Sequence, residues 1–392
     1  MSFFSVPQKE LAKILSNCNL ISPKKSEVEL FTYTKITLDA ERITLSAINP
    51  SLFYQTSLLL SEQTTEAQDT TTFLVKTDLI ASAISLISDE VVGLEIALES
   101  HTLHVQGAKS KHVLRINTRL LEEFRLPEAE AETVETEVRL TLEDVVQANK
   151  IANTSVGNPK MVYEPQFLNI CYTLSPNTRD LYVVSTDKYR LSKQKLVANY
   201  EASAEGIEFP KNYLLHPANL NLLQACAGEK DEVLTFRFGQ NYLWISLAQA
   251  TLTMRYGAGN FPEYDKIIPQ SFACSFVVET SEVLESLKQV YFAARTNLIN
   301  KTVTLGVNPE KNELTLTAKT EEGHSSESTV SLEHYEGVSE AWSQGFNADY
   351  LLNYITAIKS ERILWEANPG KPSVLSPENK KEAQMCLISG LR

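Results

Sequence analysis

The segment PQKELAKILSNCNLI, residues 7–21, decides the fold class, because its apolar residues recur at the spacing of an amphipathic helix. Five later segments show the same spacing and begin with plausible helix starts. The six predicted helices span residues 7–21, 76–88, 141–156, 210–226, 280–295 and 347–360. They are predicted to begin near Gln8, Asp78, Leu142, Asn212, Ser281 and Asn347, which places successive starts 64 to 70 residues apart. A near-constant step of this kind indicates an internal repeat.

Short alternating strands joined by turns fill the chain between the helices. Clear examples are GLEIALES followed by TLHVQGAK (93–109), VLTFRFG followed by YLWISLAQ (233–249), and NELTLTAK (312–319). One unit is therefore a helix plus several antiparallel strands, which favours an α+β fold over a doubly wound parallel sheet. A unit of this length supports only a marginal core by itself. Pairing the six units predicts three similar domains, at residues 1–127, 134–270 and 273–392.

Two connectors agree with this division. The acidic stretch 122–137 has five glutamates from Glu128 to Glu137, as expected for a solvated linker. The second connector, GNFPEYDKIIPQ (259–270), also places an aromatic residue shortly before a proline. We interpret Phe261, Tyr264 and Ile268 as structural residues that fasten one domain to the next.

The overall charge limits the partners. A net charge of −13 over 392 residues argues against a protein whose whole surface grips nucleic acid or an anionic membrane. The six helical windows nevertheless carry eight basic and seven acidic residues, so the rest of the chain carries −14. One face is neutral to basic if all six helices point the same way. The alternative is that helices simply favour lysine for propensity and for its long apolar stem.

Several classes of protein are disfavoured by the motifs. The five cysteines are far apart and lie mostly in apolar segments, which is typical of buried thiols, and no CxxC, HxxxH or HxH spacing suggests a metal site. No GxGxxG, GxxxxGK[ST] or GxSxG motif occurs, so we predict neither a cofactor nor a catalytic site. Neither a signal peptide nor a long apolar span is visible, so we expect a cytoplasmic protein with no membrane partner.

Three motifs resemble the bacterial sliding clamp family, the beta subunits of DNA polymerase III. They are STDKYRLS (185–192), GNFPEYDKIIP (259–269) and GFNADYLLNYITAI (345–358), supported by LVKTDLIASAISLI (74–87). The resemblance implies three similar domains, each of two helix-and-sheet halves, and a ring-forming head-to-tail homodimer. It also implies a function without catalysis, in which the ring encircles double-stranded DNA and confers processivity on the polymerase. The implied protein partners are the polymerase III alpha subunit, the clamp loader and repair proteins, each of which binds the ring through a short linear peptide.

The resemblance assigns three sets of residues. The expected DNA-contacting residues are Lys9, Lys13, Lys24, Lys25, Lys150, Lys288 and Arg295. The expected peptide-binding groove contains Leu168, Thr186, Lys188, Tyr189, Arg190, Leu191, Pro262, Lys266, Ile267, Ser373, Val374, Leu387, Ser389, Gly390, Leu391 and Arg392. The expected dimer interface contains His112 and Leu114 from the first domain and Thr296, Asn297 and Leu298 from the third.

The groove and the interface depart from the family pattern. Lys188-Tyr189 replaces the usual Gly-His, and Ser389-Gly390-Leu391 replaces Met-Pro-Met. We expect a smaller or more polar pocket that prefers a different peptide. His112 and Thr296 are more polar than usual, which predicts a ring that opens more readily. The alternatives are a non-replicative scaffold or binding protein with the clamp fold, and a nucleic-acid-processing enzyme, for which no acidic metal cluster or nucleophile is evident.

Overall fold

Six helices recur along the computed structural model, which describes residues 2–63, 70–127, 133–174, 180–203, 211–228, 230–296 and 300–391. Each helix follows closely on a strand, and three strands come after it, with one further strand after the first, third and fifth helices. The helices of the described chain are α1 (Gln8–Ile21), α2 (Thr77–Ser85), α3 (Leu142–Asn153), α4 (Pro217–Cys226), α5 (Thr280–Ala294) and α6 (Ala348–Ala357).

The strands surround the helices in the same order in every repeat. They are β1 (Ser2–Pro7), β2 (Tyr33–Leu38), β3 (Arg42–Ile48), β4 (Leu52–Leu59), β5 (Glu62–Gln63), β6 (Thr71–Lys76), β7 (Val91–Ala97), β8 (Thr102–Gln106), β9 (Lys111–Asn117), β10 (Thr136–Thr141), β11 (Ile170–Leu174), β12 (Leu181–Thr186), β13 (Arg190–Leu196), β14 (Asn199–Ser203), β15 (Lys211–Leu215), β16 (Val233–Phe238), β17 (Tyr242–Ser246), β18 (Ala250–Arg255), β19 (Cys274–Glu279), β20 (Thr302–Asn308), β21 (Glu313–Lys319), β22 (Ser325–Ser331), β23 (Glu333–Gly337), β24 (Trp342–Asn347), β25 (Arg362–Ala367), β26 (Ser373–Pro377) and β27 (Gln384–Ile388). The predicted hairpins β7–β8 and β16–β17 and the predicted strand β21 are confirmed.

The strand before each helix pairs with the sheet of a neighbouring repeat. β1 pairs with β7 and β6 with β2; β10 pairs with β16 and β15 with β11; β19 pairs with β25 and β24 with β20. All of these pairings are antiparallel, and the exchange occurs three times. The predicted α+β class, with six repeats in three similar pairs, is therefore confirmed. The exact domain boundaries remain a prediction.

We call the third strand after each helix its last strand, and four of the six last strands pair with one another. β4 pairs antiparallel with β18, and β13 pairs antiparallel with β27. We call these two pairings the β4·β18 seam and the β13·β27 seam. Among the described residues, β22 pairs only with β21, while β9 pairs along its length with β8 and meets β6 only at Ile116 and Asn117. These two last strands therefore each keep an open edge.

The chain forms two compact units. The first draws on 1–142, 199–207 and 218–256 and contains one sheet of fourteen strands, which includes the β4·β18 seam. The second draws on 143–198, 208–217 and 257–392 and contains sheets of nine and four strands, of which the larger includes the β13·β27 seam.

Apolar side chains and all five cysteines lie in the interiors of these units. Stacked rings of Phe276 and Trp365, with centroids 5.8 Å apart, lie in the core of the second unit. Each cysteine is a free thiol and is buried, as predicted. Burial raises the pKa of Cys18, Cys171, Cys226 and Cys386 to about 12, so these thiols stay protonated and unreactive at neutral pH. Within the described ranges, no helix combines the length and hydrophobicity needed to cross a membrane.

Two sequence predictions need correction. The fourth helix does not begin near Asn212, because Lys211–Leu215 forms β15 and the helix starts at Pro217. Proline favours the first turn of a helix, so His216-Pro217 was the available signal. The stretch 122–137 is not a solvated linker throughout, because Phe124 is buried and β10 begins at Thr136. Its central residues 128–132 lie outside the described ranges.

Candidate functional site

An apolar row crosses the β13·β27 seam. Leu191 on β13 is opposite Leu387 on β27, and Leu387 is opposite Val374 on β26. Side chains at directly opposed positions share one face of a sheet, so these three predicted groove residues contact one another. They pack in one cluster with Phe261 and Tyr264 of the connector. The structure therefore brings together residues that lie almost two hundred positions apart in the sequence.

The turn between β12 and β13 supplies the polar part of the site. The Asp187 carboxylate accepts the backbone N–H groups of Tyr189 and Arg190, each at 3.0 Å, and thereby closes the turn. The Arg190 Nε donates to Asp187 Oδ2 at 2.9 Å, and its guanidinium lies 4.1 Å from the centroid of the Tyr350 ring. Thr186 donates its hydroxyl to the Arg190 carbonyl. Arg190 is thus a largely buried, fixed cation, whereas Tyr189 is exposed.

Lys188 occupies a left-handed backbone conformation, with φ of 80°. Its ammonium forms an ion pair with Glu164 and lies 5.2 Å from the centroid of the Phe167 ring. The hydrogen bond from Lys188 lowers the pKa of the Glu164 carboxyl. The lysine side chain therefore lies along the 3₁₀ turn Pro165–Leu168, and Leu168 itself is half-buried at the end of that turn.

The connector has a buried side and an exposed side. Phe261 and Tyr264 are buried with their rings edge to face at 6.0 Å, and Ile268 packs against the same cluster. Their interpretation as structural residues is confirmed. Pro262, Lys266 and Ile267 are exposed, and Lys266 pairs locally with Glu263. These three can form only the rim of the site.

The last residues of the chain approach the same turn. The Ser389 N–H donates to the Tyr189 carbonyl at 2.9 Å, and the Leu391 N–H donates to the Gly345 carbonyl at 2.7 Å. A Cβ on Gly390 would lie 1.8 Å from Nε2 of Gln344, so a larger residue there would displace the Gln344 side chain from its hydrogen bonds with Lys371 and Gly370. Ser373 is buried and opposite Ile388. Arg392 lies outside the described residues.

The sequence did not identify two further residues of this face. Met385 and Lys193 are opposite each other on β27 and β13, and Met385 packs on the apolar cluster. The Lys193 ammonium lies 2.6 Å from Asp265 and 4.5 Å from the Tyr182 ring centroid. Period-two alternation from Leu387 and Leu191 was the signal that would have found them.

The basic residues predicted to face DNA form a second candidate site. Lys9 and Lys13 lie on one face of α1. Lys288 of α5 and its C-cap residue Arg295 are seven residues apart, so they lie about two turns apart on one face. All seven predicted residues are exposed, and none of their side chains makes an ion pair or hydrogen bond with another described residue: Lys9, Lys13, Lys24, Lys25, Lys150, Lys288 and Arg295. Lys76 and Lys359, by contrast, pair with Glu29 and Glu143.

The predicted interface residues lie at or near open strand edges. His112 and Leu114 are half-buried on β9, and the His112 Nε2 is buried with no hydrogen-bond partner in the described chain. Thr296 follows α5 and is exposed, whereas Asn297 and Leu298 lie outside the described residues. Sequence reasoning missed two exposed apolar neighbours, Val113 (58% exposed) and Phe292 (52% exposed). Exposed apolar side chains beside an open strand edge are typical of an interface.

Comparison with known proteins now adds to this geometry. Residues 265–389 match the family model of the DNA polymerase III beta subunit, C-terminal domain. The chain is 23% identical to the beta sliding clamp of Haemophilus influenzae, with 92% of this chain and 91% of that protein covered. It superposes on the beta chain of DNA polymerase III from Streptococcus pneumoniae with a TM-score of 0.85 at 18% identity, and both chains are covered completely. It also superposes on the Helicobacter pylori beta clamp bound to a DNA ligase peptide, with a TM-score of 0.82 at 19% identity and full coverage of both chains.

The fold is that of the DNA sliding clamps. The chain is similar along its length to the beta subunit of bacterial DNA polymerase III. Residues 265–389 match the C-terminal domain of that subunit.

Proposed function

We propose that two copies of this chain close head to tail into a ring around duplex DNA, and that the ring tethers proteins carrying short linear peptides. The observation that carries the proposal is the pairing of last strands. Two seams, β4·β18 and β13·β27, each join two last strands in antiparallel fashion. Repeating that rule between copies pairs β9 of one chain with β22 of the next. Because β9 belongs to the second repeat and β22 to the fifth, such a contact is head to tail and closes after two copies if the rotation fits.

Charge supports this pairing. β9 carries Lys111 and Arg115 on its exposed side, whereas β22 carries Glu327 and follows the Glu321-Glu322 turn. Opposite charges along two open edges favour one partner and disfavour pairing of either edge with itself.

The unpaired basic side chains fit duplex DNA held by topology. Exposed lysines attract phosphate groups weakly and at long range, and the interaction is screened by salt. A ring that cannot fall off needs no tight contact, so weak attraction permits sliding. Acidic surface elsewhere, reflected in the net charge of −13, discourages binding of DNA to the outside.

The β13·β27 site fits a peptide with an apolar anchor. Leu191, Val374 and Leu387 form a buried apolar cluster beneath the site, while the exposed Tyr189 and Ile267 lie at its rim and Arg190 lies beside it. The proposed occupants are peptides of the polymerase III alpha subunit, the clamp loader and repair proteins. The chain itself acts as a processivity subunit with no catalytic site, and it works in the cytoplasm on chromosomal DNA.

Retention on a nicked circular DNA tests encirclement directly. The protein is loaded on the circle by the clamp loader of its own source, separated from free protein, and the circle is then cut to a linear form. We expect retention on the circle and release after the cut. Retention on the linear form contradicts encirclement and indicates adhesion. A monomer that never loads supports the alternative of a scaffold with the clamp fold.

Removal of positive side chains tests whether they attract DNA to the ring. The triple change Lys13→Ala, Lys150→Ala and Lys288→Ala should lower the loading rate and flatten its dependence on salt, because three phosphate contacts are lost. The matched control removes three lysines that are exposed outside these helices: Lys160→Ala, Lys311→Ala and Lys380→Ala. An equal loss in both triple variants argues against a DNA-facing role for the first set.

A further inference from the structure

A second groove lies along the β4·β18 seam. It has a volume of about 740 Å³, which is in the range of pockets that hold small ligands or peptide side chains. The connector residues Phe124, Leu126 and Pro127 line it, just as the other connector adjoins the β13·β27 seam. The groove lies on the outward face of the sheet, because Ile245 and Leu252, which alternate with its lining residues on β17 and β18, are fully buried.

The register places the lining side chains in two rows. In the first row Arg237, Trp244, Thr253 and Phe53 are opposite one another on β16, β17, β18 and β4. In the second row Ser246, Thr251 and Gln55 are opposite one another on β17, β18 and β4. The same row continues across the sheet, because Gln55 is opposite Ser46 on β3 and Ser46 is opposite Lys35 on β2. Every strand here is paired on both sides, so a ligand must be bound by side chains and not by an added strand.

The charged residues of this groove all have one sign. Lys35, Arg125 and Arg237 line it, and none of its lining residues is acidic. Lys35 lies 5.8 Å from the Phe124 ring centroid, and Arg237 pairs with Glu137 at 2.9 Å beside the groove. Arg125 is exposed, and its Nε donates only to the Glu122 carbonyl. Three cations around one groove are unusual in a protein of net charge −13.

Trp244 lies at the base of the groove. It is only 3% exposed, and its indole N–H has no hydrogen-bond acceptor within the described residues, as is also true of Trp342 and Trp365. The value of Trp244 is therefore as a reporter, because its ring adjoins the groove and senses a change there.

We propose that this groove is a second docking site, and that it takes a short peptide with an aromatic or leucine anchor flanked by acidic residues. Phe53, the most exposed of the three aromatic residues that line the groove, suits the anchor, with the edges of Phe124 and Trp244 beneath it. Lys35, Arg125 and Arg237 suit acidic residues on either side of the anchor. Arg237 and Lys35 are five strands apart, which at ~4.8 Å per strand spans about 24 Å, or roughly seven residues of extended chain. The site is independent of the β13·β27 groove and of ring closure.

Fluorine NMR of the intact protein provides the test. The chain has three tryptophans, so labelling with 5-fluorotryptophan gives three resonances, and Trp244→Phe assigns the one of interest. The probes are two capped octapeptides with Ser-Phe-Leu-Ser at the centre, one flanked on each side by two aspartates and the other by two lysines. We expect the aspartate peptide to shift the Trp244 resonance saturably and the lysine peptide to leave it unchanged.

Charge reversal at the rim completes the experiment. Arg125→Glu should weaken the aspartate peptide about fivefold or more, because one of three attractive charges becomes repulsive. Lys311→Glu makes the same charge change at an exposed hairpin far along the chain and should leave the affinity unchanged. The proposal is overturned if the aspartate peptide leaves Trp244 unmoved up to millimolar concentration, if both peptides shift it equally, or if Arg125→Glu binds as well as the parent.

Failure here is distinguishable from failure of the proposed function. Binding to the β13·β27 groove alone leaves the Trp244 resonance unmoved, which removes the second site and leaves the first intact. The measurement needs neither DNA nor a closed ring, so a chain that fails to encircle DNA still gives a clear result.

Discussion

The two seams share a backbone arrangement and differ in the side chains that they present. Each pairs two last strands antiparallel, and each has an aromatic-containing connector beside it. At the β13·β27 seam the outward row is Leu191, Leu387 and Val374. At the β4·β18 seam the corresponding outward pair is Phe53 and Thr253, followed by Gln55 and Thr251.

The repeat therefore determines the backbone pairing at each seam, whereas the side chains on the outward face differ between the two seams. The inward positions of both seams must stay buried to support the helices, as Tyr54, Leu252 and Cys386 do. The outward positions do not pack against the helices but adjoin the connectors, so their side chains can differ from seam to seam. One seam therefore carries an apolar cluster and the other a cationic groove lined in part by aromatic residues.

The largest expected effect separates the two seams by stability. Leu387→Ala should cost about 3 kcal/mol of local stability, because Leu387 is 4% exposed inside an apolar cluster. Thr253→Ala, on the last strand of the other seam, should cost less than about 1 kcal/mol because only a methyl and a hydroxyl are removed. Hydrogen exchange of the strand amides reports both local opening free energies. Equal costs would mean that the apolar row does not hold the β13·β27 seam together.

The next effect concerns the last strands that have no partner within the chain. Val113→Asp on β9 should weaken the dimer about thirtyfold, equivalent to about 2 kcal/mol, because a charge replaces an apolar side chain in the interface. Sedimentation velocity across a dilution series measures the change. Val233→Asp is the matched control, since Val233 is similarly exposed, at 55%, but lies on a strand paired on both sides. A dimer equally weakened by both changes would contradict pairing through β9.

A smaller effect is expected from the departure at Lys188. Lys188→Gly should relieve the left-handed backbone, worth about 1 kcal/mol, and remove the side chain that lies over Phe167. We expect peptides of the usual family sequence to bind about threefold to tenfold more tightly, measured by calorimetric titration. Lys188→Ala removes the ammonium and keeps the strain, so it separates the two causes. If both variants bind like the parent, the lysine does not set peptide preference.

The smallest effect is a pH dependence of the same turn. The folded pKa of Glu164 lies below its ordinary value because Lys188 donates to the carboxylate. The stabilisation is therefore present above the ordinary glutamate pKa, and it is lost as the pH falls through the lowered folded value. Carboxyl carbon NMR of Glu164 should show a rise of its pKa in Lys188→Ala. An unchanged pKa would show that the ion pair does not persist in solution.

Local patterns in the sequence were enough to predict the repeat. Helical spacing and alternating hairpins depend on neighbours a few residues apart, so they are legible without a structure. The error at Asn212 arose because KNYLLHPANL contains a short strand and a helix start with apolar residues in both. Such short apolar runs fit both the two-residue period of a strand and the 3.6-residue period of a helix.

The seams and most of the candidate groove could not be derived from the sequence in the same way. The partners Thr56 and Ala250, or Leu191 and Leu387, are separated by almost two hundred residues, and no local period encodes their register. Family resemblance located Leu191, Val374 and Leu387, but it could not show that Lys188 turns toward Glu164. That contact depends on the left-handed turn and on a loop distant in sequence.

Because all five native thiols are buried, the protein is suited to site-specific labelling at introduced cysteines. Because these cysteines are protonated and inaccessible, a maleimide or an oxidant added at neutral pH will act on cysteines introduced at the surface. One cysteine placed on β9 and another on β22 would then crosslink the proposed contact between copies. A ring locked shut in this way could be stored, labelled and linked to a support without removal of a single natural residue from its interior.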